Sequence, residues 1–261
     1  MRLDKFLAES AVGTRKNVRN YIKEGAVKVN GQVITEPIME ISESTDIIEY
    51  LDKVVAYTGK VYYMFHKPEG CITARKDAVN KTVFDFLQGV NTSGIFHVGR
   101  LDKDTEGLLL FTNDGDFNHK LMYPEKHIEK KYFFIALGSL NEVEIKKLEE
   151  GISIGEGEAL TKPAKIDGLR FGTYKEFEQD TDIRRFYNID SNRYDQPVVS
   201  GYLTISEGRK HQVKRMLKAA GCYVVYLKRI SIGELMLDET LKKGQYRMLK
   251  EDEIQKLLVQ V

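Results

Sequence analysis

Hydrophobic positions in the first 35 residues follow two helical repeats and then an alternating strand pattern. The apolar positions of the two helices recur at spacings of three and four residues: Leu3, Phe6 and Leu7, then Val18, Tyr21 and Ile22. Thr14 is a favourable N-cap for the second helix, and Gly25 is typical of a residue that ends one. Asn30-Gly31 separates two short alternating segments and predicts a tight β-hairpin. The pattern therefore predicts a small domain of two helices and a sheet over residues 1–56.

After a candidate linker at residues 57–60, strands and helices no longer alternate in a regular order. The clearest predicted strands and helices are Lys131–Leu137, Gly201–Ser206, Asn141–Glu150 and Gln212–Ala220. Such a mixture without a βαβ repeat is typical of an α+β domain, which we assign to residues 61–261. Within it, the polar, tyrosine-bearing segment 171–197 is predicted to be an insertion or a hairpin arm, and we assign no chemistry to it.

Composition restricts the class of protein. The 261 residues are 42% hydrophobic and 30% charged, as in an ordinary globular protein. Asp4 stands where a secretory signal would begin its apolar stretch, and apolar runs such as Leu108–Phe111 are too short to span a bilayer. Cys71 and Cys222 lie far apart without metal-ligand spacing, so we interpret them as reduced thiols. We therefore expect a cytoplasmic protein without membrane spans.

Charge is unevenly distributed, although the formal net charge is only +1. Residues 1–35 contain seven lysines and arginines against three carboxylates, and residues 207–218 contain five against one. Each segment therefore has a net charge of +4, which suits a polyanionic partner such as a nucleic acid. Charge alone leaves open the alternative that both segments are solvated helix faces.

Residues 98–115 read Val-Gly-Arg-Leu-Asp-Lys-Asp-Thr-Glu-Gly-Leu-Leu-Leu-Phe-Thr-Asn-Asp-Gly. A calcium loop beginning with Asp102 and Asp104 is one interpretation, but its twelfth position, which needs a bidentate acid, is Asn113. A charged turn before a buried strand is a second. The block also resembles the signature of the RsuA/RluB family of pseudouridine synthases. That resemblance implies that Asp102 is the catalytic nucleophile and that Arg100 binds the substrate.

Residues 129–132, Glu-Lys-Lys-Tyr, resemble a second element of that family at the entrance of a strand. The resemblance implies that Tyr132 stacks on the target base and that Lys130 binds the substrate. An aromatic platform suits this role because a base leaving its helix loses its stacking partners. An ordinary strand tyrosine is the alternative.

Residues 205–217, Ile-Ser-Glu-Gly-Arg-Lys-His-Gln-Val-Lys-Arg-Met-Leu, resemble a third family motif. In that motif a basic residue pairs with the catalytic aspartate, and Lys214 occupies its place. An ammonium group near Asp102 would favour the ionised carboxylate that the reaction needs. The motif also implies substrate contacts by Arg209, His211 and Gln212. A helix start crowded with cations favours anion binding, although each cation could instead lie on a solvated helix face.

The first 55 residues resemble the S4 RNA-binding domain, with a second helix rich in cations followed by a Val-Asn-Gly hairpin. The resemblance implies that five cations contact RNA phosphates: Arg2, Lys5, Arg15, Lys16 and Arg19. Closely spaced cations release counterions from the RNA backbone and give affinity without sequence specificity. A generic αβ domain with a solvated basic face is the alternative.

Smaller matches at His66–Gly70 and Leu160–Ala164 extend the resemblance over nearly the whole chain. It implies an α+β fold, with an S4 domain followed by a catalytic domain built on a mixed, mostly antiparallel sheet. It also implies a monomeric enzyme that isomerises uridine to pseudouridine in ribosomal RNA or an assembling ribosomal subunit, without cofactor or metal. The sequence of residues 205–217 is typical of the RsuA branch, which favours position 516 of 16S rRNA as the target. The alternatives are a large-subunit enzyme of the RluB/RluE/RluF type and a non-catalytic assembly factor.

Overall fold

The structure is a computed structural model that describes residues 1–57 and 59–259. The N-terminal elements are α1 Leu3–Glu9, α2 Arg15–Lys23, β1 Val27–Val29, β2 Gln32–Val33, β3 Ile48–Tyr50 and β4 Lys53–Val54. Their strands form an antiparallel sheet in the order β2-β1-β3-β4. The predicted helices are confirmed: Thr14 Oγ1 accepts a hydrogen bond from Asn17 N, and Val18 and Ile22 are fully buried.

The Asn30-Gly31 hairpin is also confirmed. Both residues have positive φ, 51° and 80°, which matches the turn that best fits the twist of a two-residue hairpin. The hairpin pairs Val29 with Gln32.

The second region is built on one large sheet. Its strands are β5 Tyr62–Lys67, β6 Phe96–Val98, β7 Glu106–Thr112, β8 Lys130–Leu137, β9 Lys165–Thr173, β10 Pro197–Ile205, β11 Tyr223–Ile232, β12 Leu235–Met236 and β13 Tyr246–Met248. The main path is β13-β5-β7-β11-β8-β10-β9, with β6 beside β7 and β12 beside β11. Within the described residues only β7 and β11 pair in parallel, so the predicted mixed, mostly antiparallel sheet is confirmed.

Helices and short turns surround this sheet. The α-helices are α3 Gly115–Met122, α4 Glu142–Glu150, α5 Tyr174–Asp180, α6 Ile183–Phe186, α7 Gln212–Ala219 and α8 Glu251–Leu258. Single 3₁₀ turns occur at Val83–Phe86, Pro124–Lys126 and Ser191–Arg193. No helix in residues 1–57 or 59–259 has the length and apolarity that a membrane crossing requires. Cys71 and Cys222 are both buried and unbridged.

The two faces of the large sheet carry different layers. Tyr132 and Phe134 of β8 point to one side, here called the front face, where they join a core with Met216 and Leu217 of α7. Ile135 of β8 joins a separate cluster on the opposite side, here called the back face. This alternation follows from the two-residue period of a strand. The sheet therefore separates the front-face core around Tyr132 from the back-face cluster around Ile135.

The predicted insertion or hairpin arm at 171–197 differs in both extent and form. Phe171 belongs to β9 and Pro197 to β10, and these antiparallel neighbours are joined by a connection that contains α5 and α6. Tyr174, Phe177 and Ile183 are fully buried on the back face. The segment is therefore a helical cover for the sheet rather than a projecting arm.

The two regions contact each other through Asn113 at the end of β7. Its Nδ2 donates to Glu9 O at 2.8 Å and to Gly59 O at 2.9 Å, and its Oδ1 accepts from Val61 N at 2.8 Å. At Gly94 a Cβ would collide with Ala8 O, so glycine permits this close approach of the two backbones. The predicted linker 57–60 lies between β4 and β5, and its Thr58 lies outside the described residues, as do positions 260 and 261.

Candidate active site

A cavity of about 640 Å³ opens on the front face of the large sheet. Its walls are the loop 99–105 between β6 and β7, here called the Asp102 loop, together with β8, β11 and the start of α7. All eight residues predicted to act in catalysis or substrate binding line it: Arg100, Asp102, Lys130, Tyr132, Arg209, His211, Gln212 and Lys214. Three sequence motifs that are far apart in the chain therefore meet at one cavity.

Asp102 lies at the accessible part of this cavity, with 30% of its side chain exposed. His211 Nε2 is 3.5 Å from Asp102 Oδ1, and Lys214 Nζ is 3.8 Å from Asp102 Oδ2. Two basic groups therefore face the carboxylate, and either could hold its charge and orientation.

The pair predicted between Lys214 and Asp102 is present as an ion pair at 3.8 Å, but Lys214 has a second carboxylate partner. Its direct hydrogen bond goes to Asp104 Oδ1, at 2.5 Å, rather than to Asp102. Partial burial alone would raise the pKa of Asp104, but the hydrogen bond and charge of Lys214 outweigh it and lower that pKa. Lys214 thus lies between two carboxylates, and Asp104 fixes the position of the ammonium group beside Asp102.

The backbone of the Asp102 loop is held by Lys67, which is fully buried. Lys67 Nζ donates to Asp102 O and Thr105 O, both at 2.9 Å, and to Pro68 O at 3.0 Å. Burial lowers the pKa of Lys67, so these carbonyl contacts provide the solvation that water would otherwise give. The Lys-Pro pair was visible in the sequence, but nothing in its pattern indicated that this lysine reaches the backbone of Asp102.

Tyr132 and Lys130 enter the cavity from β8. Tyr132 is 8% exposed and lies opposite Leu203 on one neighbouring strand and Arg229 on the other. Lys130 Nζ donates to Ile128 O at 2.9 Å. Burial, together with the positive charge of Arg229, lowers the pKa of Lys130 to about 8.

Two of the residues predicted to bind substrate are occupied inside the protein. Gln212 Oε1 accepts from Arg209 N at 2.8 Å, while Gln212 Nε2 donates to Glu207 Oε1 at 2.7 Å. The Arg209 guanidinium donates to Ala159 O at 2.6 Å and to Leu160 O at 2.7 Å. Both side chains therefore brace the turn before α7, a role that their place in the motif did not indicate.

His211 and Arg100 remain available for a ligand. His211 adopts a left-handed backbone, with φ of 52°, and 51% of its side chain is exposed beside Asp102. Arg100 is exposed at the cavity, and no hydrogen bond or ion pair holds its side chain within the part of the chain that the structure describes.

Arg229 on β11 is a cavity residue that the sequence reasoning missed. It is only 3% exposed. Its Nε donates to Leu108 O at 2.8 Å, whereas its Nη2 is buried without a partner. A Cβ at Gly107 would collide with the Arg229 backbone, so glycine allows β7 to pair closely at this point. The available signal was the alternation along β11, which places Arg229 on the same face as buried Leu227.

The cations of the N-terminal region converge on one carboxylate, forming what we call the Asp4 cluster. Asp4 is fully buried, and its Oδ2 lies 2.8 Å from Arg2 Nη2, 2.7 Å from Arg19 Nε and 3.4 Å from Arg15 Nε. Burial would raise the pKa of Asp4, but the hydrogen bond from Arg19 and the charges of the arginines lower it. Lys5 lies outside this cluster, because its Nζ is 2.6 Å from Asp116 Oδ2 of the large region.

The structure also separates the acids of the proposed calcium loop. Asp104 hydrogen-bonds Lys214 at the cavity, whereas Glu106 is fully buried and accepts from Tyr226 and Lys243. Among residues 1–57 and 59–259, no three or more histidine, cysteine or acidic side chains group as metal ligands would.

Two family models match this chain. Residues 61–219 match the model of the RNA pseudouridylate synthase family, and residues 1–47 match the S4 domain. The chain belongs to the RNA pseudouridylate synthase family. The family match spans the Asp102 loop, Tyr132 and Lys214.

Full-length relatives extend this assignment. The chain is 36% identical to ribosomal small subunit pseudouridine synthase A of Haemophilus influenzae, over 99% of this chain and 100% of that one. It is 37% identical to ribosomal large subunit pseudouridine synthase B of Bacillus subtilis, over 98% and 95% of the two chains. A solved pseudouridylate synthase structure is 36% identical and covers 98% of this chain and 99% of its own, with a TM-score of 0.62.

Proposed function

We propose that this pseudouridine synthase isomerises one uridine of ribosomal RNA at the front-face cavity, with Asp102 as nucleophile. The observation that carries the proposal is the position of Asp102. It is partly exposed in a cavity that Tyr132 also lines, and two basic groups lie within 4 Å of its carboxylate. Relatives named for both ribosomal subunits support ribosomal RNA as the substrate class.

The reaction breaks the N1–C1′ bond, turns the uracil and joins C5 to C1′. C5 then loses a proton and N1 gains one, so reactant and product have the same composition. Asp102 must be ionised to act on the sugar or the base, and Lys214, fixed by Asp104, supports that charge. Tyr132 provides a surface for the extruded uracil.

The Asp4 cluster is proposed to capture the RNA backbone. Arg15 and Arg19 are each close to half exposed, at 49% and 46%, although both also contact Asp4. Their outward-facing donors suit phosphate oxygens. Exposed Lys16 on the same helix adds to the positive surface.

Among possible targets we favour small-subunit rRNA at position 516, because the wording of residues 205–217 is that of the RsuA branch. The nearly equal identities to the small-subunit and large-subunit relatives keep 23S rRNA as the second candidate. We further propose that the protein acts as a monomer, since one chain supplies every wall of the cavity. Its place of action would be the cytoplasm, where ribosomal RNA is assembled into subunits.

The test is complementation of a strain that lacks the gene, with pseudouridines mapped on rRNA as carbodiimide-dependent stops. Wild-type protein should restore one pseudouridine, which we expect in small-subunit rRNA. Asp102→Asn should restore none, although it should still bind rRNA. Asp190→Asn, which removes an exposed carboxylate on the back face, is the matched control and should behave as wild type. A pseudouridine restored by Asp102→Asn would overturn the nucleophile, and no pseudouridine restored by wild type would favour a non-catalytic assembly factor.

A further inference from the structure

The inner part of the cavity contains two cations that the fold does not neutralise. Arg229 and Lys130 line it together, and neither has a carboxylate partner within residues 1–57 and 59–259. Two part-buried cations elsewhere in the lining do have acid partners, Lys214 with Asp104 and Arg209 with Glu207, whereas Arg100, which has none, is exposed to solvent. Arg229 and Lys130, beside Tyr132, therefore lie in the cavity without the acid partners that Lys214 and Arg209 have, and this difference needs an explanation.

Burying unpaired charge opposes folding. A guanidinium that leaves water without a counter-ion loses hydration that one backbone carbonyl does not replace. The lowered pKa of Lys130 shows the same unfavourable environment, since burial and the neighbouring guanidinium both disfavour its charged form. The bond from Arg229 Nε to Leu108 O could be purely structural, but it leaves Nη2 buried without an acceptor. Such groups cluster at functional sites, where a ligand supplies the missing partner.

Depth indicates which part of an RNA reaches these cations. Asp102, which must meet the sugar or base, is 30% exposed, whereas Arg229 is 3% exposed. Arg229 also lies directly opposite Tyr132 in the register of the two strands. When the sugar of an extruded nucleotide lies at Asp102, its phosphates remain toward solvent and its base extends inward. The uracil edge, rather than a phosphate, then meets Arg229.

We propose that Arg229, together with Lys130, contacts a carbonyl oxygen of the target uracil. The inference rests on the proposed function and adds a residue that binds and activates the base. When the N1–C1′ bond breaks, its electron pair leaves with the uracil, and the negative charge spreads over N1, O2 and O4. Fixed cations in a poorly solvated site stabilise such a developing anion strongly. A contact to O4 would also disfavour cytosine, which presents an amino group at that position, whereas a contact to O2 would not.

The experiment measures coupling between the protein and single atoms of the RNA. Full-length wild type and Arg229→Met are compared in single-turnover reactions on an rRNA fragment whose target is uridine, 2-thiouridine or 4-thiouridine. Arg229→Met should slow the uridine reaction by at least about tenfold, since removal of one donor to a developing charge typically costs about a hundred- to a thousandfold. One thio substitution should slow wild type by about tenfold, because sulfur is a poorer hydrogen-bond acceptor than oxygen. The same substitution should slow Arg229→Met by less than about twofold, because this variant lacks the donor.

Two variants guard against a folding artefact. Arg229→Lys keeps a charge and should have an intermediate rate, and Arg193→Met changes an exposed arginine on the back-face segment and should match wild type. The melting temperature of Arg229→Met should equal or exceed that of wild type, because an unpaired buried charge is removed.

Three outcomes would overturn the inference. Equal thio penalties in wild type and Arg229→Met would show that Arg229 acts only structurally. Coupling to a methylphosphonate placed beside the target, without coupling to O2 or O4, would assign Arg229 to a phosphate. A wild-type protein that forms no pseudouridine would remove the proposed function and this contact together, whereas additive penalties in an active enzyme remove the contact alone.

Discussion

The Asp4 cluster and the inner cavity use arginine in opposite ways. Around Asp4, three guanidinium groups share one fully buried carboxylate, and those of Arg15 and Arg19 remain about half exposed. In the cavity, Arg229 is buried itself and has no acid partner among the described residues. A phosphate carries its charge before it binds. Cations that bind a phosphate therefore give higher affinity when an internal acid such as Asp4 already holds them in position. Charge on a uracil appears only during the reaction, so cations that meet it are most effective when no internal acid competes.

Exposure separates the two regions in a second way. Arg15 and Arg19 are about half exposed, so salt screens their contacts and RNA affinity should depend on ionic strength. Arg229 is screened little, because it is almost completely buried. We therefore expect changes in the Asp4 cluster to alter affinity and changes in the cavity to alter the rate of the bound complex.

The largest effect is expected for Lys214→Met. Removal of the ammonium leaves Asp102 and Asp104 close together without the cation between them, so the single-turnover rate should fall about a hundredfold or more. RNA affinity should change by about twofold or less, and Lys214→Arg should recover part of the rate. Lys218→Met, on the exposed side of the same helix, is the control. Equal losses in Lys214→Met and Lys218→Met would remove the specific role of Lys214.

A smaller effect, on affinity, is expected for Asp4→Asn. Electrostatics alone predicts tighter RNA binding, because a negative charge is lost. We expect the opposite, a dissociation constant raised about three- to tenfold, because the charged hydrogen bonds that orient the arginines are weakened. Glu24→Gln removes the same charge from an exposed position at the end of α2 and should leave binding unchanged or slightly tighter. Filter binding at several salt concentrations measures the dissociation constants of both variants. Tighter binding by Asp4→Asn would show that Asp4 does not organise the cluster.

The smallest effect concerns pH. The pKa of Lys130 is lowered to about 8, so this cation is lost as pH rises through that value. If Lys130 acts as a cation, kcat/KM should decline above about pH 8, and Lys130→Arg should move the decline to higher pH. Because the folded pKa lies below that of the unfolded chain, the free energy of unfolding should rise between pH 8 and the usual lysine range. If kcat/KM declined at the same alkaline pH in wild type and Lys130→Arg, the decline would belong to a group other than Lys130.

The sequence predicted which motifs meet but not how their side chains are shared. The S4 helices, the Asn30-Gly31 turn and the mostly antiparallel sheet followed from periodicity and turn chemistry, which are local properties. The hydrogen bond of Lys214 did not, because the motif indicated only Asp102, and tertiary geometry brings the ammonium group to Asp104 as well. The motif predicts that Gln212 binds substrate, and it gave no sign that both ends of the Gln212 amide hydrogen-bond within the turn before α7.

Two further features depended on contacts between distant segments. Arg229 lies on a strand that is otherwise unremarkable, and its place beside Tyr132 follows from the β8–β11 register, which no local pattern encodes. The segment 171–197 was polar enough to suggest an arm, but its few large apolar residues are the ones that bury Ile135 on the back face. In both cases strand pairing, rather than composition, determines the role.

The most direct test measures two quantities on the same preparations of Asp4→Asn and Arg229→Met: the dissociation constant for an rRNA fragment and the single-turnover rate at saturating enzyme. Asp4→Asn should raise the dissociation constant and keep the wild-type rate, while Arg229→Met should keep the wild-type dissociation constant and lose at least about tenfold in rate. If both variants changed the same quantity, the division between RNA capture by the Asp4 cluster and chemistry in the cavity would be wrong.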